Sequence, residues 1–163
     1  MSMPSLIKRT IAGAALGGAA IWGIGGVDDT TRNDSGQIVE SGDLGVFVTQ
    51  LGDCFNIEDP SAIEISVTQG VPCSSPHNWQ VIYKGDLAIS EYDKTEIDNQ
   101  ANRICDAAVE RLLNNLSFEK LQEYERAKLN VMTPTSESFE NGDEAVDCLV
   151  GSDEEYFTTS LLD

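Results

Sequence analysis

The placement of four cysteines is the strongest constraint this sequence sets on its own fold. Cys54, Cys73, Cys105 and Cys148 lie far apart, and no two form a Cys-x-x-Cys pair. Dithiol redox catalysis relies on that close pair to lower a thiolate pKa. Zinc sites likewise favour closely spaced ligands, and only Cys73 and His77 are near each other here. No metal site and no cofactor are therefore expected. Widely spaced cysteines in even number read as a disulfide framework, for which four residues allow three connectivities. Such a framework belongs to an oxidising compartment.

The segments between the cysteines favour one connectivity. Residues 45–51 and 53–57 have strand-like content, and 63–71 alternates, with Ile63, Ile65 and Val67 set against Glu64, Ser66 and Thr68. Turn residues at 58–61 make this region a hairpin, and Cys54 and Cys73 bracket it. Residues 79–83 read as a further strand, closed by Lys84, Gly85 and Asp86. The period then changes. Ile97, Ala101, Ile104, Cys105, Ala108, Val109, Leu112 and Leu116 recur every three to four residues, which describes one face of a helix of about five turns. Thr95 with Asp98 resembles a capping box at its start. A second, weaker helix is expected over 117–129, with Pro134 as its stop, and a last strand over 145–150. The fold class is α+β: a small antiparallel sheet packed against one long helix, with a shorter second helix and two disulfides. In that arrangement Cys54–Cys73 closes the hairpin and Cys105–Cys148 ties the buried helix face to the last strand. Chain entropy gives these cross-links about 3 and 4 kcal/mol respectively. Against a typical net stability of about 5–15 kcal/mol, that is a large share.

The chain divides by texture into four parts. Residues 1–27 hold no acid, and Lys8 and Arg9 precede an uncharged run from Thr10 to Val27. This is an export pattern. As a helix the run rises about 27 Å, close to a hydrocarbon core of ~30 Å. A retained single-pass anchor is the favoured reading, with Lys8 and Arg9 inside and the rest of the chain outside the cytoplasm. The alternative is a signal peptide cleaved after Ala20 or Gly25, and secretion. Gly13 and Gly17 have the spacing of a helix-pairing motif, but a Gly/Ala-rich run produces that spacing by chance. Residues 28–43 are polar and read as a linker, 44–150 as the domain, and 151–163 as a loosely held acidic tail.

Charge narrows the partners. Ten basic against 28 acidic residues give a formal net charge of −18. Nucleic-acid binding depends on Lys and Arg displacing phosphate counterions, so DNA and RNA are excluded as expected partners. The membrane is a partner through residues 10–27 if the leader is retained.

Gly52, Asp53, Cys54 and Phe55, followed by Val71, Pro72, Cys73, two serines, Pro76 and His77, form a recognisable pair of elements. They are followed by Cys105 on a predicted helix, then Pro134, Thr135, Phe139, Gly142 and Asp143 before Cys148. This series resembles the septum formation domain family of actinobacterial exported proteins over about residues 46–150. Phe139 stands where that family typically has Trp, and Gln80 where it commonly has Glu. The resemblance implies an association with the division septum and brings no established reaction.

His77 is the only histidine. A Pro-His turn beside a disulfide reads as a positioned structural residue, and neither Ser74 nor Ser75 sits in a G-x-S-x-G elbow that would make it a nucleophile. Asp53 and Asp143 each follow a glycine and precede a cysteine, which reads as turn and cap hydrogen bonding. The sharper alternative brings them together as paired carboxylates for glycan cleavage. Trp79, Tyr83 and Tyr92 read as core aromatics rather than sugar platforms. The expected function is a non-enzymatic, membrane-tethered binding module that meets an envelope or division protein, or a cell-wall polymer. A cell-wall hydrolase using His77 or the Gly-Asp carboxylates is the alternative, and a purely structural envelope protein the third class.

Overall fold

The computed structural model describes residues 9–14 and 26–163, apart from 60 and 63. Its strands are β1 (Arg9–Ala14), β2 (Thr31–Arg32), β3 (Ile38–Glu40), β4 (Gly42–Gly45), β5 (Cys54–Asn56), β6 (Glu64–Ile65), β7 (Val67–Val71), β8 (Trp79–Asp86), β9 (Lys128–Pro134) and β10 (Ala145–Gly151). Its helices are α1 (Lys94–Leu113), α2 (Phe118–Glu123) and α3 (Ser136–Glu140). Eight strands form one sheet in the order β4-β7-β5-β8-β10-β9-β1-β6, and β2 pairs with β3 as a separate ribbon. The expected α+β class holds, with a larger sheet than the sequence suggests. Its pairings are antiparallel except those of β1, which lies parallel to β9 and β6.

Only Ser66 separates β6 from β7, yet these two strands stand near opposite ends of the strand order. Consecutive residues are about 3.8 Å apart, so the sheet must curl until its ends meet at Ser66. The result is a ring with an inner and an outer face, read from strand alternation. Phe55, Trp79, Val81, Met132 and Leu149 fill the inside, with Val46, Ile57 and Ile65. Leu129, Val131, Val146, Cys148 and Val150 point outward and form a second core with α1.

Helix α1 covers that outer face because its 20 residues carry one apolar stripe: Ile97, Ala101, Cys105, Ala108 and Val109 are buried. Fully burying a side chain the size of Ile97 contributes roughly 1.5–3 kcal/mol. Its N-cap is Asp93, whose carboxylate accepts from the backbone N–H of Thr95 and Glu96. The expected capping box of Thr95 and Asp98 does not form, and Asp98 pairs with Lys94 instead. Both expected disulfides are present. Cys105–Cys148 ties α1 to β10, and Cys54–Cys73 ties β5 to the chain just after β7.

Four sequence readings are corrected. The second helix ends at Glu123, and the segment expected to continue it becomes β9, held between β10 and β1. Val131 and Thr133 are β-branched, and the alternation of Leu129 and Val131 outward with Asn130 and Met132 inward suits a sheet buried on both faces. The strand expected over 45–51 ends at Gly45. A 3-10 turn follows at Val46–Val48, with Thr49 Oγ1 2.9 Å from Val46 O. The 28–43 linker is no free tether: Asp29 N–H donates to Asp43 O, and the β2–β3 ribbon is fixed through Arg32. Nor is the tail loosely held. Phe157 and Leu161 are each 3% exposed, and Phe157 stacks on Tyr124 with ring centroids 4.1 Å apart.

Thr10–Ala14, within the run read as a spanning helix, are extended here as part of β1, where parallel pairing satisfies the backbone along β9. The rest of that run up to 25 lies outside the described residues. Among the described residues no helix is long and apolar enough to cross a membrane.

Candidate functional site

The two Gly-Asp pairs share one local solution. Gly52 and Gly142 have φ of +91° and +92°, a region where a Cβ is strained. Each lets the chain turn so that the following aspartate folds back on its own loop. Asp53 Oδ2 accepts from Gln50 N–H at 2.8 Å. Asp143 accepts from Ala145 N–H and from Ser138 Oγ, which itself belongs to the capping box of α3 with Thr135. The two carboxylates enter different networks. Asp53 is gripped by Arg32, whose Nη1 and Nη2 donate to its two oxygens at 2.7 and 2.8 Å. That hydrogen-bonded pair raises the Arg32 guanidinium pKa above its ordinary value.

His77 is fully buried. Its Nδ1 lies 2.9 Å from Ser75 O, to which only a protonated nitrogen can donate, leaving Nε2 facing the Tyr124 hydroxyl at 3.5 Å. Burial pushes the imidazole pKa down, against the opposing effects of the Ser75 bond and Glu123. Burial also pushes the Tyr124 phenol up. The backbone of His77 exchanges two hydrogen bonds with Phe157. Gln80 sits beside it, also fully buried: Nε2 donates to Gly52 O and Ser160 Oγ, and Oε1 accepts from Leu161 N–H at 2.7 Å. The Cys54–Cys73 disulfide borders this network, with Gln80 Nε2 3.9 Å from Cys73 Sγ. Pro72, Pro76 and Phe55 belong to the same neighbourhood: Pro72 O accepts from Ser75 N–H, Pro76 O from Asn56 Nδ2, and Phe55 pairs with Trp79. Gln80 thus uses both a donor and an acceptor, which an ionised glutamate would not supply.

Of the aromatics, Trp79 is in the ring interior, Tyr83 lies beneath the Arg111 guanidinium, and Tyr92 meets Phe139 at 5.9 Å. Pro134 ends β9 and is buried. Among the described residues no cluster of His, Cys, Asp and Glu has the makings of a metal site.

A third network lies outside the motif, at one mouth of the ring. Asp147 points inward from β10 and is almost fully buried. Its Oδ2 accepts from Lys84 Nζ at 3.0 Å and from Thr49 Oγ1 at 2.8 Å. Burial nevertheless pushes the Asp147 carboxyl up, outweighing Lys84 and Thr49, and nearby Asp143 adds to the effect. A cleft of about 350 Å³ opens beside it, lined by Val46, Phe47 and Met132 together with Lys84, Asp143 and Asp147. The sequence reading missed Asp147 and Lys84. The available signal was an aspartate amid the apolar residues of β10 and a lysine two residues short of the end of β8, both obscured because Lys84, Gly85 and Asp86 look like a turn.

No curated protein and no solved structure matches this chain. The family model described as septum formation matches residues 26–148, from the segment before β2 to the fourth cysteine. That span takes in the Arg32 hairpin, both Gly-Asp turns and all four half-cystines, and on it the chain belongs to the septum formation family.

Proposed function

We propose that this chain is an extracytoplasmic binding module, tethered by its leader, that acts through protein or cell-wall contacts during cell division. The observation that carries this reading is the engagement of the motif's reactive groups. His77 is buried under Tyr124 and Phe157, Asp53 is committed to Arg32, and Asp143 is committed to Ser138. Residues so used support the fold, which leaves recognition to the surface around them. Family membership supplies the division context. The two disulfides fit an oxidising compartment outside the cytoplasm. The uncharged run behind Lys8 and Arg9 is the proposed tether.

The test is affinity capture of the tagged chain from dividing cells, after cross-linking at the envelope. Enrichment of division-site proteins or wall fragments is the expected result. Recovery of neither sinks the reading.

A further inference from the structure

Asp147 holds a polar atom that the fold itself does not satisfy. Its Oδ2 is taken by Lys84 and Thr49, but its Oδ1 is buried without a hydrogen-bond partner, on a side chain 7% exposed. Lys84 cannot supply the missing donor. Its ammonium carries three protons, and it already donates to Thr49 O at 2.7 Å, to Thr49 Oγ1 at 2.9 Å and to Asp147 Oδ2 at 3.0 Å. Leaving a buried carboxylate oxygen unpaired is costly. Here it is left so at the wall of an open cleft, which points to a donor from outside the chain.

The cleft says what kind of donor. Asp86, Asp143 and Glu144 line it beside Asp147, with Lys84 the one basic residue among the described residues of its lining. Such a mouth attracts a cation. Val46, Phe47 and Met132 add apolar wall, suited to a methylene stem. A guanidinium binds best across both oxygens of a carboxylate. Oδ2 is occupied here, so the single unpaired oxygen suits a compact ammonium better. Thr133, which lines the same cleft, also has a hydroxyl oxygen buried without a partner.

We propose that this cleft binds a primary ammonium on a short apolar stem, as in a lysine side chain of a partner polypeptide, with Asp147 Oδ1 as principal acceptor. The assignment rests on the binding-module reading and deepens it by naming the surface and the chemistry it takes.

Titration of the isotopically labelled 163-residue chain with Nα-acetyl-lysine methylamide, followed by amide NMR, tests it. Saturable shifts are expected at Val46, Phe47 and Asp147. The same probe acetylated on Nε should bind at least tenfold more weakly, and the arginine counterpart more weakly than lysine. Asp147→Asn should abolish the response. If that variant fails to fold, the exposed rim pair Asp86→Asn with Glu144→Gln decides, with a weakening of threefold or more expected. Equal binding of charged and acetylated probes, absence of saturable shifts, or indifference to the rim variant overturns the assignment. Arginine binding as tightly as lysine overturns the ammonium specificity. A failed titration alongside successful capture of division components would remove the cleft and leave the binding module standing.

Discussion

The amide of Gln80 donates to Gly52 O and Ser160 Oγ and accepts from Leu161 N–H, all without access to water. Replacing it by the glutamate common in the family would remove the donor and bury a charge. Gln80→Glu is expected to cost about 1–3 kcal/mol at neutral pH, measured by urea unfolding, with recovery as the acid protonates. His77 predicts a pH dependence of definite sign. Its folded pKa lies below the ordinary 6.5, so the unfolded chain takes up the proton first. Stability is therefore complete above about pH 6.5 and falls as pH drops from there towards the lowered folded value, by at most about 1.4 kcal/mol per pH unit. Asp147 works the other way: its carboxyl is raised above 3.8, so its contribution weakens as pH climbs from 3.8 through the raised value. Unfolding curves between pH 7.5 and 5.5 should show the histidine loss, and a His77→Gln variant should flatten it. A positioned His77 was the expectation from the Pro-His turn, and it is buried with Nδ1 bonded to Ser75 O. Its partners were not legible, because Tyr124 and Phe157 lie 47 and 80 positions away along the chain.

Elements whose patterning is local were legible. The apolar stripe of α1 gave a helix near its observed span, and the turn residues at 58–61 gave the antiparallel pairing of β5 with β7; the alternation over 63–71 breaks at Ser66, after which Val67 is exposed and Thr68 buried. What failed was contextual. Lys128–Pro134 carries no hairpin turn of its own, and its identity as a strand comes from having β10 on one side and β1 on the other. The β2–β3 ribbon was missed for a similar reason. Its surroundings in the sequence are polar and its strands are only two and three residues long; Ile38 is buried all the same, and Arg32 reaching Asp53 anchors the ribbon. Asp53 is nearly fully buried, so removing its partner strands a charge. Arg32→Ala should destabilise the protein by about 3–5 kcal/mol. It should also make the backbone amides of β2 and β3 exchange faster, as hydrogen exchange would report. A loss under 1 kcal/mol would mean that the ribbon is held by something else.

Over the whole molecule, 28 acids against 10 bases produce a like-charge field that opposes compaction. Salt screens such a field over about 10 Å at 0.1 M. The melting temperature should therefore rise between 10 mM and 0.5 M sodium chloride; a fall would show that the ion pairs of Arg32 and Lys84 outweigh the global repulsion. The two disulfides act against the same field by limiting how far the unfolded chain can expand. The segment after β10 has a further consequence, in the order of events during biogenesis. Gln80 and His77 find their partners in Phe157, Ser160 and Leu161, about eighty positions later along the chain. While a nascent chain is still being threaded, those late residues are unmade or held in a channel. Its centre must therefore wait, with polar groups open to chaperones and oxidants, until those residues have emerged.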